Sequence, residues 1–200
     1  RLTDVVLALR NRHRRDLKNP LTQRYPLDRG IANYLNALMD TYLLDQRPSS
    51  LELAGQVIRG TVHPADDIEA RQFDNVEETW FYVVFLQAVA RFLELKTRFE
   101  QSDEDFAYAR DCLLHYAEWM QKKEKPYLNR PEILEFPNLT WAAQDLRKAN
   151  VLFSADRWSP PGHNALAERA QDFVNYVCDA LKDSEELHYT RVQALLLQNL

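Results

Sequence analysis

Apolar residues recur along most of this chain at intervals of three and four, the spacing that lines one face of an α-helix. In the first such stretch, about Thr3 to Lys18, Val6, Leu9, His13 and Leu17 fall near that spacing, and Asn19-Pro20 ends it. A second stretch follows Asp28, a residue type that accepts hydrogen bonds from the first turn of a helix. It places Ile31, Leu35, Leu38, Tyr42 and Leu43 on one face before Arg47-Pro48 closes it. Ser49 and Ser50 begin a third helix, Leu51 to about Arg59, which Gly60 stops. The fourth, about Val76 to Phe99, differs in kind: from Trp80 to Ala90 it is apolar nearly all round, which predicts a helix enclosed by neighbours on several sides. A fifth begins near Ser102-Asp103-Glu104-Asp105 and ends in Lys122-Lys123-Glu124-Lys125 before Pro126, with acids and bases where the helix dipole favours them. A long loop, Tyr127 to Leu139, precedes a sixth helix that Thr140 caps or opens and that runs to about Asp156. Ser159-Pro160-Pro161-Gly162 is the clearest break; a seventh helix spans about Asn164 to Lys182 and an eighth about Ser184 to the end.

Helix follows helix, and no stretch alternates in the manner of a strand. The predicted fold is therefore all-α: antiparallel helical hairpins stacked as a partial α/α toroid or an α-superhelix. Composition agrees, since only 4 of 200 residues are glycine and 46% are hydrophobic, enough to build a core. The expectation is a single all-helical domain over residues 1–200, cut from a longer protein, because the chain opens on Arg1 and shows no signal-peptide pattern. A net charge of -5 argues against nucleic acid as the partner. No run of about 20 uncharged apolar residues spans a membrane, and the expected location is cytoplasmic. Cys112 and Cys178 are expected to be reduced, buried thiols. His13, His63, His115, His163 and His188 are scattered, and neither metal-ligand spacing nor a phosphate-cradling glycine loop occurs, so no metal and no cofactor is expected. The basic run Arg10, Arg12, His13, Arg14, Arg15 and Lys18 reads as a solvated face or a contact with another domain.

The richest stretch chemically is Tyr127 to Lys148. Its prolines stiffen a long loop, and it supplies carboxylates (Glu132, Glu135, Asp145), cations (Arg130, Arg147, Lys148) and flat apolar faces (Tyr127, Trp141). A saccharide site needs that mixture, because sugar rings stack on aromatics while their hydroxyls bind planar polar groups. Each residue also has a plain structural reading: Asp145 and Lys148, three apart, make a pair of the kind that stabilises a helix surface, Trp141 serves as core, and Glu135 caps the next helix. A second candidate is Asp74 to Trp80. Thr79-Trp80 opens one helix and Thr140-Trp141 opens another 61 residues on, both after acid-bearing loops. If the two are equivalent, Glu78 and Glu135 face one cleft as a carboxylate pair for glycosidic chemistry, walled by Trp80 and Trp141.

Glu135-Phe136-Pro137, Thr140-Trp141-Ala142-Ala143-Gln144-Asp145 and Arg147-Lys148 together resemble a motif of bacterial proteins with α/α-toroid character, linked to polysaccharide metabolism and similar to six-hairpin glycosidases and lyases. The resemblance implies a carbohydrate-binding or glycosidase/lyase-like domain with an oligosaccharide or polysaccharide as ligand. Glu78, Glu135 and Asp145 are then the candidate catalytic acids, and Tyr127, Arg130, Trp141, Arg147, Lys148 and Trp80 the substrate-binding residues. The alternative is a noncatalytic α-superhelical interaction or structural module. The apolar C-terminus, with Leu195, Leu196 and Leu197 in a row, suits a missing domain or a homo-oligomer.

Overall fold

The computed structural model describes residues 24–160, 162, 164–185 and 190–199. The predicted helix at Thr3 to Lys18 with its basic run lies outside the described residues, as do His163 and His188. The described residues form helices and turns without a strand, an all-α fold. They are α1 (Arg29–Asp45), α2 (Pro48–Arg59), α3 (Val76–Thr79), α4 (Tyr82–Arg98), α5 (Glu104–Lys123), α6 (Leu139–Asp156), α7 (Ala165–Lys182) and α8 (Thr190–Asn199). Short 3-10 turns lie at Glu69–Arg71, Tyr127–Asn129 and Pro131–Ile133. None of these helices is long and apolar enough to cross a membrane. By their internal contacts the described residues form two compact units, residues 24–67 with 84–115, and residues 68–83 with 116–199.

In the first unit, α1 begins where the sequence indicates: Asp28 Oδ1 accepts from the Ile31 N–H at 3.0 Å. Ile31, Leu35, Leu38 and Tyr42 are buried, and α1 packs on α2. Leu43 was expected on that face but is 37% exposed, because it sits one residue, about 100° of helical turn, beyond Tyr42. Helix α2 starts at Pro48 rather than at the serines, since proline at the first helical position gives up an N–H that has no partner there. At its end, the Tyr25 N–H donates to the Gly60 carbonyl at 2.8 Å, and a Cβ on Gly60 would stand 2.7 Å from the Tyr25 ring, so the close approach requires glycine. Arg91 of α4 donates to Asn36 at 2.9 Å and pairs with Asp40. Arg59 pairs with Asp105 at 2.9 Å and lies over the Tyr108 ring, 4.3 Å from its centroid. Both cysteines are free. Cys112 is buried, and burial pushes its thiol far up, leaving it un-ionised. Cys178 is exposed, contrary to the expectation of two buried thiols: on α7 it directly follows the buried Val177 and falls outside the apolar stripe.

In the second unit, the helix expected to run unbroken from Val76 is interrupted at Trp80-Phe81. The single turn α3 closes with Thr79 Oγ1 donating to the Asn75 carbonyl at 2.7 Å, and the chain then tightens, with Val83 N–H donating to the Trp80 carbonyl at 3.4 Å. The break sends neighbouring rings to different places. Trp80 packs on the buried cluster of Val76, Tyr127 and Leu134, while Tyr82 stacks on Phe73 with centroids 4.1 Å apart. Helix α6 is capped by Asn138, whose Oδ1 accepts from the Thr140 N–H at 2.9 Å, so neither Thr140 nor Glu135 is its cap. It packs against α7, α8 and the Tyr127–Asn129 turn, and is buried over most of its circumference. Ala143 of α6 meets Val192 and Leu195 of α8, while Leu197 on α8 is 87% exposed.

Candidate functional site

The two Thr-Trp segments meet within the second unit. Trp80 and Trp141 contact edge to face with centroids 6.3 Å apart, and Tyr127 meets Trp141 at 5.1 Å. Aromatic pairs prefer this geometry because the positive ring edge meets a negative face. Both tryptophans are half-buried, and Phe81 lies against Trp80 at 4.1 Å. The acid-bearing loops ahead of the two tryptophans are stitched together as well. Arg130 pairs with Asp74 at 2.7 Å, and the Glu135 N–H donates to Glu77 Oε1 at 2.8 Å. Glu78 and Glu135 are both exposed, with Glu78 Oε2 accepting from Asn75 Nδ2 at 2.9 Å. Phe136, beside Glu135, is 70% exposed. The arrangement is a stiffened aromatic surface edged by carboxylates.

Beneath it lies a buried ionic cluster. Lys148 is wholly buried, with its ammonium 2.8 Å from Glu124 Oε2, 3.1 Å from Asp145 Oδ1 and 2.7 Å from the Lys125 carbonyl that accepts from it. The same ammonium stands 3.4 Å from the centroid of the Tyr127 ring. Asp145 is also wholly buried and its Oδ2 accepts from the Tyr127 N–H at 3.0 Å. Glu124 Oε1 accepts from the Tyr82 hydroxyl at 2.6 Å, and Arg169 donates to the Glu124 carbonyl at 2.7 Å. Burial pushes the Asp145 carboxyl up to about 6; the charge of Glu124 adds to this, while Lys148 and the Tyr127 N–H oppose it. The Tyr82 and Tyr127 phenols are held well above their usual range, first by burial and then by the Glu124 charge.

The candidate residues thus fall into three places. Trp80, Trp141, Tyr127, Arg130 and Glu135 converge, with Glu78 on α3 next to Glu77, which accepts from the Glu135 N–H. Asp145 and Lys148 lie under that surface, sealed from solvent, and not on a helix surface as an i,i+3 pair would suggest. Arg147 points elsewhere, donating to Gln144 at 2.8 Å and toward Gln198 of α8 at 3.3 Å. Sequence reasoning passed over Glu124, Tyr82 and Arg169 as site residues, while Glu77 lies within the second candidate stretch. Glu124 carried a signal: it is the lone acid in a basic run at a helix C-terminus, where the dipole disfavours it. Among the described residues no group of three or more His, Cys, Asp or Glu is placed to hold a metal ion. No protein-family model, curated protein or solved structure matches this chain.

Proposed function

We propose that the second unit binds carbohydrate on the Trp80–Trp141 surface, with the exposed carboxylates of Glu78 and Glu135 as partners for sugar hydroxyls. The observation that carries this reading is the convergence of two tryptophans far apart in sequence, 6.3 Å between centroids, each only partly buried and on segments that carry carboxylates. Partly buried rings held by neighbouring rings lose little freedom on binding, and whatever face they present is apolar, which suits a sugar ring. Asp145 and Lys148 act from below, fixing the Tyr127 segment rather than touching ligand, because both are wholly buried. A stacked-hairpin arrangement of the α/α-toroid or α-superhelix kind belongs to the same proposal; what supports it is the packing of sequence-adjacent helices, α1 on α2 and α6 on α7.

The test is calorimetric titration of the whole chain with neutral, amino and acidic oligosaccharides, beside the variants Trp141→Phe and Glu135→Ala. Saturable binding weakened in both variants supports the surface, and a search for bond cleavage by Glu78 and Glu135 then follows. Binding unchanged in both folded variants excludes it. A second reading, an interaction module, draws on Phe136 at 70% and Leu197 at 87% exposed. It predicts no sugar binding and a concentration-dependent mass in sedimentation.

A further inference from the structure

Two buried carboxylates share one buried ammonium in the second unit. Asp145 and Lys148 are wholly shielded and Glu124 is nearly so, and Lys148 is the cation in ion-pair contact with either carboxylate. With all three ionised the cluster carries one uncompensated negative charge out of reach of water, a state that a low-dielectric interior disfavours strongly. Taking up one proton makes it neutral. Among the described residues no further cation is in ion-pair contact with the two carboxylates. Asp145 faces Lys148 on its own helix, Glu124 and the Tyr127 N–H from the preceding segment, and senses the phenols of Tyr82 on α4 and Tyr176 on α7. Arg169 of α7 spends its contact on the Glu124 backbone carbonyl and pairs with Asp172 at 3.4 Å, while Arg130 and Arg147 act on Tyr127 from further off.

We propose that the Glu124–Asp145–Lys148 cluster is a proton-operated latch: it takes up one proton in mildly acidic solution, and its proton state sets how firmly the Tyr127–Asn129 turn is docked under Trp141. The mechanical link is short. Asp145 Oδ2 holds the Tyr127 N–H at 3.0 Å, Lys148 sits on the Tyr127 ring at 3.4 Å, and that ring contacts Trp141 at 5.1 Å. Protonation requires no other reagent: a solvent proton adds to a carboxylate oxygen of Asp145. The direction follows from linkage. A carboxyl that binds its proton more tightly when folded than when unfolded contributes stability that is complete at low pH and is lost as pH rises through the folded-state titration. The Asp145 contribution to the stability of the fold is therefore greater at pH 5 than at pH 7.5. The latch operates whatever the surface above it binds.

The test is carboxyl ¹³C NMR of the whole unliganded chain between about pH 4 and 8, with the Asp145 side chain assigned through its own Hβ and the Trp141 indole N–H followed in parallel. The expected result is an Asp145 titration midpoint above about pH 5, clear of the ordinary aspartate value near 4, with the Trp141 indole shifting at the same midpoint. In Asp145→Asn that indole transition is absent. An Asp145 midpoint at or below the ordinary value overturns the proposal, as does an indole that ignores it or a transition that persists in the variant. Should the variant fail to fold, the carboxyl and indole titrations of the native chain decide alone.

Discussion

Replacing Lys148 with methionine keeps most of the side-chain volume and removes the ammonium, which isolates the electrostatic part of the cluster. In the native chain that ammonium stands 2.8 Å from Glu124, 3.1 Å from Asp145, 2.7 Å from the Lys125 carbonyl and 3.4 Å from the Tyr127 ring centroid. Removing one partner of a buried ion pair typically costs about 3–5 kcal/mol, because the remaining charge is stranded rather than because the pair was strong. Here two carboxylates are stranded, so the upper end of that range applies at pH 7.5. The pH dependence has a definite sign. Native Asp145 is already raised to about 6, so its contribution to stability is complete below about pH 4 and fades as pH climbs through 6. Lys148 is what restrains that rise, so in the variant the carboxyl goes higher still and the loss extends further up the pH scale. The stability gap between native chain and Lys148→Met must therefore widen with pH, by up to about 1.4 kcal/mol per pH unit as Asp145 titrates. Urea unfolding at pH 5 and 7.5 measures it, read by far-ultraviolet circular dichroism and by tryptophan fluorescence, since two compact units need not unfold together. A gap below about 1 kcal/mol at pH 7.5, or one equal at both pH values, refutes the electrostatic reasoning.

Tyr82→Phe strips the hydroxyl that donates to Glu124 Oε1 at 2.6 Å and should cost about 1–3 kcal/mol in the same urea assay. Tyr127→Phe is the control: its hydroxyl has no protein hydrogen-bond partner among the described residues, and its removal should change stability by less than about 1 kcal/mol. Gly60→Ala would place a Cβ 2.7 Å from the Tyr25 ring and force that ring away, a loss of about 1–3 kcal/mol read by thermal unfolding. Asp28→Ala removes the cap of α1 and should cost about 1 kcal/mol; an unchanged midpoint would mean that tertiary packing alone sets that helix end.

Much of the fold is written in local chemistry. Asp28 as a cap, Pro48 and Gly60 as boundaries and the acid-first, base-last polarity of α5 are visible because their causes lie within a few residues. The break at Trp80-Phe81 is not, since neither residue is a helix breaker; Trp80 there packs on rings that the chain supplies much later, at Tyr127 and Trp141. The same distinction runs through the candidate site. The shared Thr-Trp pattern pointed to two segments that do come together, although the partner of Glu135 is Glu77, through its backbone N–H. Asp145 and Lys148 look like a surface pair in one dimension, and only the approach of Glu124 and Tyr127 from the preceding segment converts them into a buried cluster.

The most direct examination of a carbohydrate surface on this chain is a ¹H–¹⁵N titration of the whole protein with neutral oligosaccharides, observing the four tryptophan indoles, Trp80, Trp119, Trp141 and Trp158. The expected result is a saturable shift of the Trp80 and Trp141 indoles, with Trp119 and Trp158 unmoved and the response weakened in Trp141→Phe. A well-dispersed spectrum in which no indole moves, or in which only Trp119 or Trp158 responds, would contradict it.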